Sequence, residues 1–160
     1  MTRVAVQEMT VLMADDDPDD RLLIREAFDE CRIDCNLQFF DDGPALIDYL
    51  YQCVSHEGSV KASLPQLILL DLNMPRKDGR EVLAEIKAND DLRVIPVIVL
   101  TTSQNEHDIL LAYHTGAASY IVKPESFQSL MDFVQRLNDY WLTCVRLPFF
   151  AKEESERAND

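Results

Sequence analysis

Short apolar runs alternate five times with longer amphipathic segments along this chain, the pattern of a parallel sheet covered by helices on both faces. Thr10–Ala14 (TVLMA) reads as a buried first strand, followed by an acidic turn and a helix starting near Pro18, where proline's missing donor would be unpaired anyway. That helix carries Leu22, Leu23, Ala27 and Phe28 as its apolar positions and should end near Cys31. Asn36–Phe40 reads as the second strand, Asp42-Gly43-Pro44 as a turn, and Ala45–Val54 as a helix with Leu46, Ile47 and Leu50 facing inward. A polar loop should occupy 55–63.

Gln66–Asp71 (QLILLD) is the most apolar strand, and it ends on a charge instead of a turn former. Pro75 and Gly79 punctuate the loop that follows, and Arg80–Ala88 places Val82, Leu83 and Ile86 on one helical face. Pro96 opens a fourth strand, Val97–Leu100, which closes on Thr101-Thr102-Ser103. A helix over Glu106–His114 should stop at Thr115-Gly116, where glycine accepts the left-handed cap. Ser119–Val122 is the fifth strand, Lys123-Pro124 begins a loop, and a last helix is expected from Ser126 to Cys144. Right-handed crossovers then give an α/β, doubly wound, five-stranded parallel sheet of flavodoxin-like order 2-1-3-4-5. Residues 10–145 form this single domain, between an N-terminal arm (1–9) and a C-terminal extension (146–160).

Charge narrows the function classes. The 160 residues include 29 acidic and 15 basic side chains, a net charge of −14, which argues against a nucleic-acid backbone as direct ligand. The apolar runs are too short to span a membrane and the N-terminus has no signal-peptide pattern, so a cytoplasmic protein is expected. The four cysteines show no CxxC pair and read as reduced thiols; a zinc site from Cys31, Cys35, Cys53 and His56 would need irregular spacings.

In an open parallel sheet, functional residues gather beyond the carboxyl ends of the strands, at the switch in strand order. Here strand one runs into Asp15-Asp16-Asp17, strand three into Asp71, strand four into Thr101 and strand five into Lys123. Strands one and three would be neighbours, so Asp15, Asp16 and Asp71 would crowd, and like charges about 4 Å apart repel by ~4 kcal/mol at an effective dielectric of about 20. A hard divalent ion, Mg²⁺ (or Mn²⁺), is the natural counterweight, with Lys123 as a second positive charge. Asp17, Asp19 and Asp20 read instead as helix N-terminal acids favoured by the dipole. That bland reading fails for Asp71 and Lys123, since a charge ending an apolar strand costs desolvation.

The segments VLMADDD, LILLDLNMP followed by DG, PVIVLTT and YIVKP, in this order between Val11 and Pro124, closely resemble a response-regulator receiver domain; the resemblance extends from Thr10 to Cys144. It implies a two-component signalling protein in which Asp71 accepts a phosphoryl group from a phosphohistidine of a partner histidine kinase. It further implies that Asp15, Asp16, Asp71 and the backbone carbonyl of Asn73 hold Mg²⁺, and that Thr101, Thr102 and Lys123 contact the phosphoryl group. Thr101 and Tyr120 would be the switch: the hydroxyl turns to the new charge and the aromatic ring swings into the vacated space, altering the surface of the fourth helix, fifth strand and fifth helix. An ordinary half-buried strand tyrosine is the alternative for Tyr120.

Two rivals are a pseudo-receiver that binds without phosphorylation, and a haloacid-dehalogenase-type phosphatase. The latter wants a second acid two residues past its aspartate, where this chain has Asn73. After the receiver pattern there is no room for an effector domain, so a stand-alone regulator signalling by protein contact is expected. On the last helix Leu130, Val134, Leu137 and Trp141 form one stripe, while Phe133, Tyr140 and Cys144 form a neighbouring one, followed by an apolar Val145–Phe150 and an acidic end. A homodimer through Phe133, Tyr140, Trp141, Leu147, Phe149 and Phe150 fits this, as does folding of the segment back on its own domain. The long last helix with YWLTCVRLP and the long polar loop resemble the small receivers paired with cyanobacterial phytochromes, which would make the kinase a red-light sensor.

Overall fold

Strand and helix alternate from β1 (Thr10–Ala14) through α1 (Pro18–Glu30), β2 (Asn36–Phe40), α2 (Gly43–Cys53), β3 (Leu67–Leu70), α3 (Gly79–Ala88), β4 (Val97–Thr101), α4 (Glu106–Thr115) and β5 (Ser119–Val122) to α5 (Phe127–Leu137). This computed structural model describes residues 8–54 and 64–149. The strands form one parallel sheet in the order β2-β1-β3-β4-β5. β1 is paired on both edges, by Asn36–Phe40 and by Leu67–Leu70, so the strand order reverses between β1 and β3.

Period-two alternation sorts the sheet's side chains onto two cores. Leu12, Ala14, Ile68, Leu70, Val97 and Val99 pack with residues of α2 and α3 on one face. Val11, Met13, Leu67, Leu69, Ile98 and Leu100 pack with α1 and α5 on the other. Each α-helix begins at a capping side chain: Asp17, Asp42, Asp78, Asn105 and Ser126 accept from amides in the first turns of α1 to α5. Part of the acidic excess is therefore capping. Gly116 caps α4 at φ 119°, the left-handed conformation expected of it.

Two sequence expectations need correction. In α1 the inward residues are Ile24, Ala27 and Phe28, while Leu22 and Leu23 face outward, because the apolar stripe runs i, i+3, i+4 from Ile24. The last helix is α-helical only to Leu137; Asn138–Cys144 widen into a π-helix, with the Val145 amide donating to the Tyr140 carbonyl five residues back. The widened turn breaks the 3.6-residue stripe, and Trp141 lies half-buried at the margin of the core beside Leu142. The cysteines cannot share a zinc ion: Cys53 is in the α2/α3 core, whereas Cys31 and Cys35 pack against the core across the sheet. His56 lies outside the described residues, as do Phe150, the acidic end, 55–63 and most of the N-terminal arm.

Candidate functional site

The ends of β1 and β3 continue their ladders by one residue. The Asp15 amide donates to the Phe40 carbonyl at 3.1 Å and the Asp71 amide to the Ala14 carbonyl at 3.0 Å, which fixes both backbones at the switch point. Asp15 is fully buried and Asp71 is 5% exposed. Asp16 is on the solvent side. One carboxylate oxygen from each of Asp15, Asp16 and Asp71 lies within 4.8 Å of the others. No other group of three such ligands occurs among the described residues.

Lys123, tied at the end of β5 by its amide to the Thr101 carbonyl (2.8 Å), sends its ammonium into this cluster. Nζ is 2.7 Å from Asp20 Oδ2, 2.8 Å from Asp15 Oδ2 and 3.0 Å from Asp71 Oδ2. The Asp15 contact is an ion pair without hydrogen-bond alignment, and this buried oxygen has no aligned donor. Burial pushes the Asp15 carboxyl above its ordinary pKa, and Lys123 only partly opposes that. Burial acts to lower the Lys123 pKa, but the adjacent carboxylates Asp15 and Asp20 prevail and hold it above its usual value.

Three carboxylates thus meet one ammonium, and a fourth, Asp16, adjoins two of them. The uncompensated charge, the hard oxygen donors and the unaligned Asp15 Oδ2 together fit a small divalent cation held by Asp15, Asp16 and Asp71. Asp71 is oriented on both oxygens: the Asn73 amide donates to Oδ1 at 3.2 Å and Lys123 to Oδ2. Asn73 itself is exposed at the rim, and so is Thr102.

Thr101 is fully buried and its hydroxyl has no partner, an uncommon state for a buried oxygen and one that suits a later acceptor. Tyr120 lies half-buried against the α2/α3 core. Its hydroxyl donates to the Ser103 carbonyl at 2.9 Å, and its amide donates to the Tyr113 hydroxyl at 3.1 Å. Tyr120 therefore ties β5 to the loop after Thr101 through its ring hydroxyl and to α4 through its backbone amide. Ser103 in turn donates to Asp108 at 2.7 Å, and Asp108 binds Arg80 of α3 at 2.7 and 3.0 Å.

Sequence pattern alone does not reveal Asp20 or the Arg80–Asp108–Ser103 chain. Asp20 and Ile24 are one turn apart, so the inward face of Ile24 carries Asp20 toward the sheet; assigning that face to Leu22 and Leu23 hides it. Of the expected dimer residues, Phe133, Trp141 and Leu147 are half-buried, whereas Tyr140 and Phe149 are 55% and 39% exposed. Phe133, Tyr140 and Trp141 line a groove of about 600 Å³ with Ile121 and Arg136.

A doubly wound sheet whose switch point gathers acidic residues, a buried threonine and a strand-end lysine defines a receiver-type signalling domain. Residues 11–135 match the family model of the response regulator receiver domain, and the chain belongs to that family. It is 44% identical over 138 residues to response regulator Rcp1 of Synechocystis sp., covering 86% of this chain and 92% of that one. It is 41% identical, covering 86% of each, to a probable methanogenesis regulatory protein, FilR2, of Methanothrix harundinacea. Among solved structures, the Mn²⁺-bound form of Rcp1 superposes with a TM-score of 0.77 at 42% identity over 88% of this chain and 99% of that one. The phosphorylated cyanobacterial phytochrome response regulator RcpA does so with 0.79 at 39% identity, over 89% and 99%. Family membership sets aside the dehalogenase-type reading. No helix among the described residues is long and apolar enough to cross a membrane.

Proposed function

We propose that Asp71 is the phosphoacceptor of this response regulator, charged by a histidine kinase. The observation that carries the reading is the convergence on Asp71 of Lys123 at 3.0 Å and of the Asp15 and Asp16 carboxylates. An Asp71 oxygen attacks the phosphorus of a phosphohistidine in line; the P–O bond forms as the P–N bond breaks, and the departing imidazole nitrogen takes the electron pair and then a proton. Lys123 neutralises charge on the phosphoryl oxygens, and the Asn73 amide keeps the attacking carboxylate oriented. Mg²⁺, held by Asp15, Asp16, Asp71 and the Asn73 carbonyl, supplies further charge neutralisation when bound; the Mn²⁺ form of Rcp1 supports a divalent ion of this kind. The same groups assist later hydrolysis of the acyl phosphate, with Asn73 and Ser103 at the rim affecting water access.

The new charge, about −1.5 to −2, gives the unpartnered Thr101 hydroxyl an acceptor. Its turn moves the loop to which Tyr120 is bonded through Ser103, and with it α4. That helix is suited to move, since only Ala112 among its residues is buried. Thr102 contributes a rim hydroxyl to the phosphoryl group.

The kinase is a phytochrome in this proposal, supported by the likeness to Rcp1 and RcpA, and the output is protein contact in the cytoplasm. The apolar groove and the exposed Tyr140 and Phe149 support a homodimer. The decisive experiment is labelling with acetyl phosphate or by phosphotransfer from candidate kinases, both with Mg²⁺. Wild type gains one phosphoryl group and Asp71→Asn gains none. Equal labelling of the mutant removes the assignment, and an unlabelled wild type makes the chain a pseudo-receiver.

A further inference from the structure

Lys123 has three N–H donors, and three carboxylates surround it. Two of these change during the proposed reaction: Asp15 is claimed by the cation, and Asp71 becomes the acyl phosphate. Asp20 belongs to neither role. Its Oδ2 is nevertheless the nearest of the three, at 2.7 Å, on a side chain fixed in the first turn of α1 beside buried Ile24.

We infer that Asp20 is a positioning residue for phosphorylation, the one partner that holds the Lys123 ammonium over the acceptor while its other two contacts are exchanged. This rests on Asp71 being the acceptor. The start of α1 is firmly anchored, since the Asp17 side chain caps it and Arg21 of the same turn donates to the Asp15 carbonyl at 2.6 Å. Asp20 thereby ties the helix that follows β1 to the lysine that follows β5, across the mouth of the site. The lysine side chain, 14% exposed, would otherwise have an open route to solvent on the Asp20 side, where that carboxylate is 33% exposed.

The test is the rate of phosphorylation by acetyl phosphate, followed by intact-protein mass across a series of Mg²⁺ concentrations. At saturating Mg²⁺, Asp20→Asn should be slower than wild type by about tenfold, the scale of a lost charge-assisted hydrogen bond, and Asp20→Glu should recover part of the loss. A second readout needs neither phosphate nor metal: the Lys123 ammonium protons, observed by ¹⁵N NMR in metal-free protein, should exchange with water faster in Asp20→Asn. Equal or faster labelling of Asp20→Asn at saturating Mg²⁺ overturns the inference. So does a deficit that added Mg²⁺ abolishes, since that assigns Asp20 to the metal's field. An unlabelled wild type removes the acceptor reading itself, whereas a labelled wild type with an indifferent Asp20 removes only this inference.

Discussion

The first residue of α3, Gly79, sits against the backbone of Asp71: a Cβ placed on it would lie 2.1 Å from the Asp71 carbonyl oxygen and 2.6 Å from the Leu72 Cα. The Gly79 amide donates to the Leu72 carbonyl at 2.9 Å, closing the loop that leaves β3. The Asp71 main chain is thus clamped between the Ala14 carbonyl and the start of α3. Because the obstructing atoms are backbone, no side chain can move aside.

Gly79→Ala should therefore cost about 2–3 kcal/mol, toward the upper end of overpacking changes, and displace Asp71. Urea unfolding reads the first effect and acetyl phosphate labelling the second. A variant as stable as wild type would show that the Asp71–Gly79 contact relaxes freely.

Thr101→Val separates the resting from the phosphorylated state. The buried hydroxyl has no partner in the resting protein, so an apolar isostere should leave stability unchanged or raise it by up to ~1 kcal/mol. In the proposed phosphorylated state the same change would remove a donor from the phosphoryl group. Beryllofluoride with Mg²⁺ should then raise the melting temperature of the variant less than that of wild type. Loss of resting stability in Thr101→Val would contradict the unpartnered hydroxyl.

The Arg80–Asp108 pair links α3 to α4 and has a definite pH signature. The Arg80 hydrogen bond, aided by Ser103, holds the Asp108 carboxyl below its ordinary pKa of 3.8. A depressed acid stabilises the fold fully above 3.8, and the contribution disappears as pH falls through the lower, folded-state value. Asp108→Asn should cost about 1 kcal/mol at neutral pH, and the gap to wild type should close below 3.8. Urea titrations at a series of pH values measure this; a gap independent of pH refutes the pair's contribution.

Strand order, both cores and the convergence of Asp15, Asp16, Asp71 and Lys123 were legible because apolar period and strand-end charge both report on the sheet, whose topology has few alternatives. Asp20 was not legible, since its role depends on which face of α1 turns inward, and Leu22, Leu23 and Ile24 compete for that face with similar side chains. Arg80, Ser103 and Asp108 meet across two loops, and no local pattern encodes such a distance. The π-helical turn is a backbone choice at Asn138–Cys144, where no proline or glycine announces a break.

That turn bears on assembly. It leaves Tyr140 with an exposed ring, packed edge-on against Trp141 with centroids 5.4 Å apart, beside the groove of Phe133 and Ile121. Two copies joined here would bury aromatic surface but bring together chains of net charge −14 each, so apolar burial must outweigh repulsion. Association should therefore strengthen with added salt, which screens the repulsion and leaves the apolar term. Light scattering should give twice the monomer mass, falling toward the monomer on truncation before Val145 or with Tyr140→Glu. The ring is 55% exposed, so that substitution should leave the unfolding midpoint of the single chain nearly unchanged. A wild type that stays monomeric at high micromolar concentration and high salt would assign the apolar tail to its own domain instead.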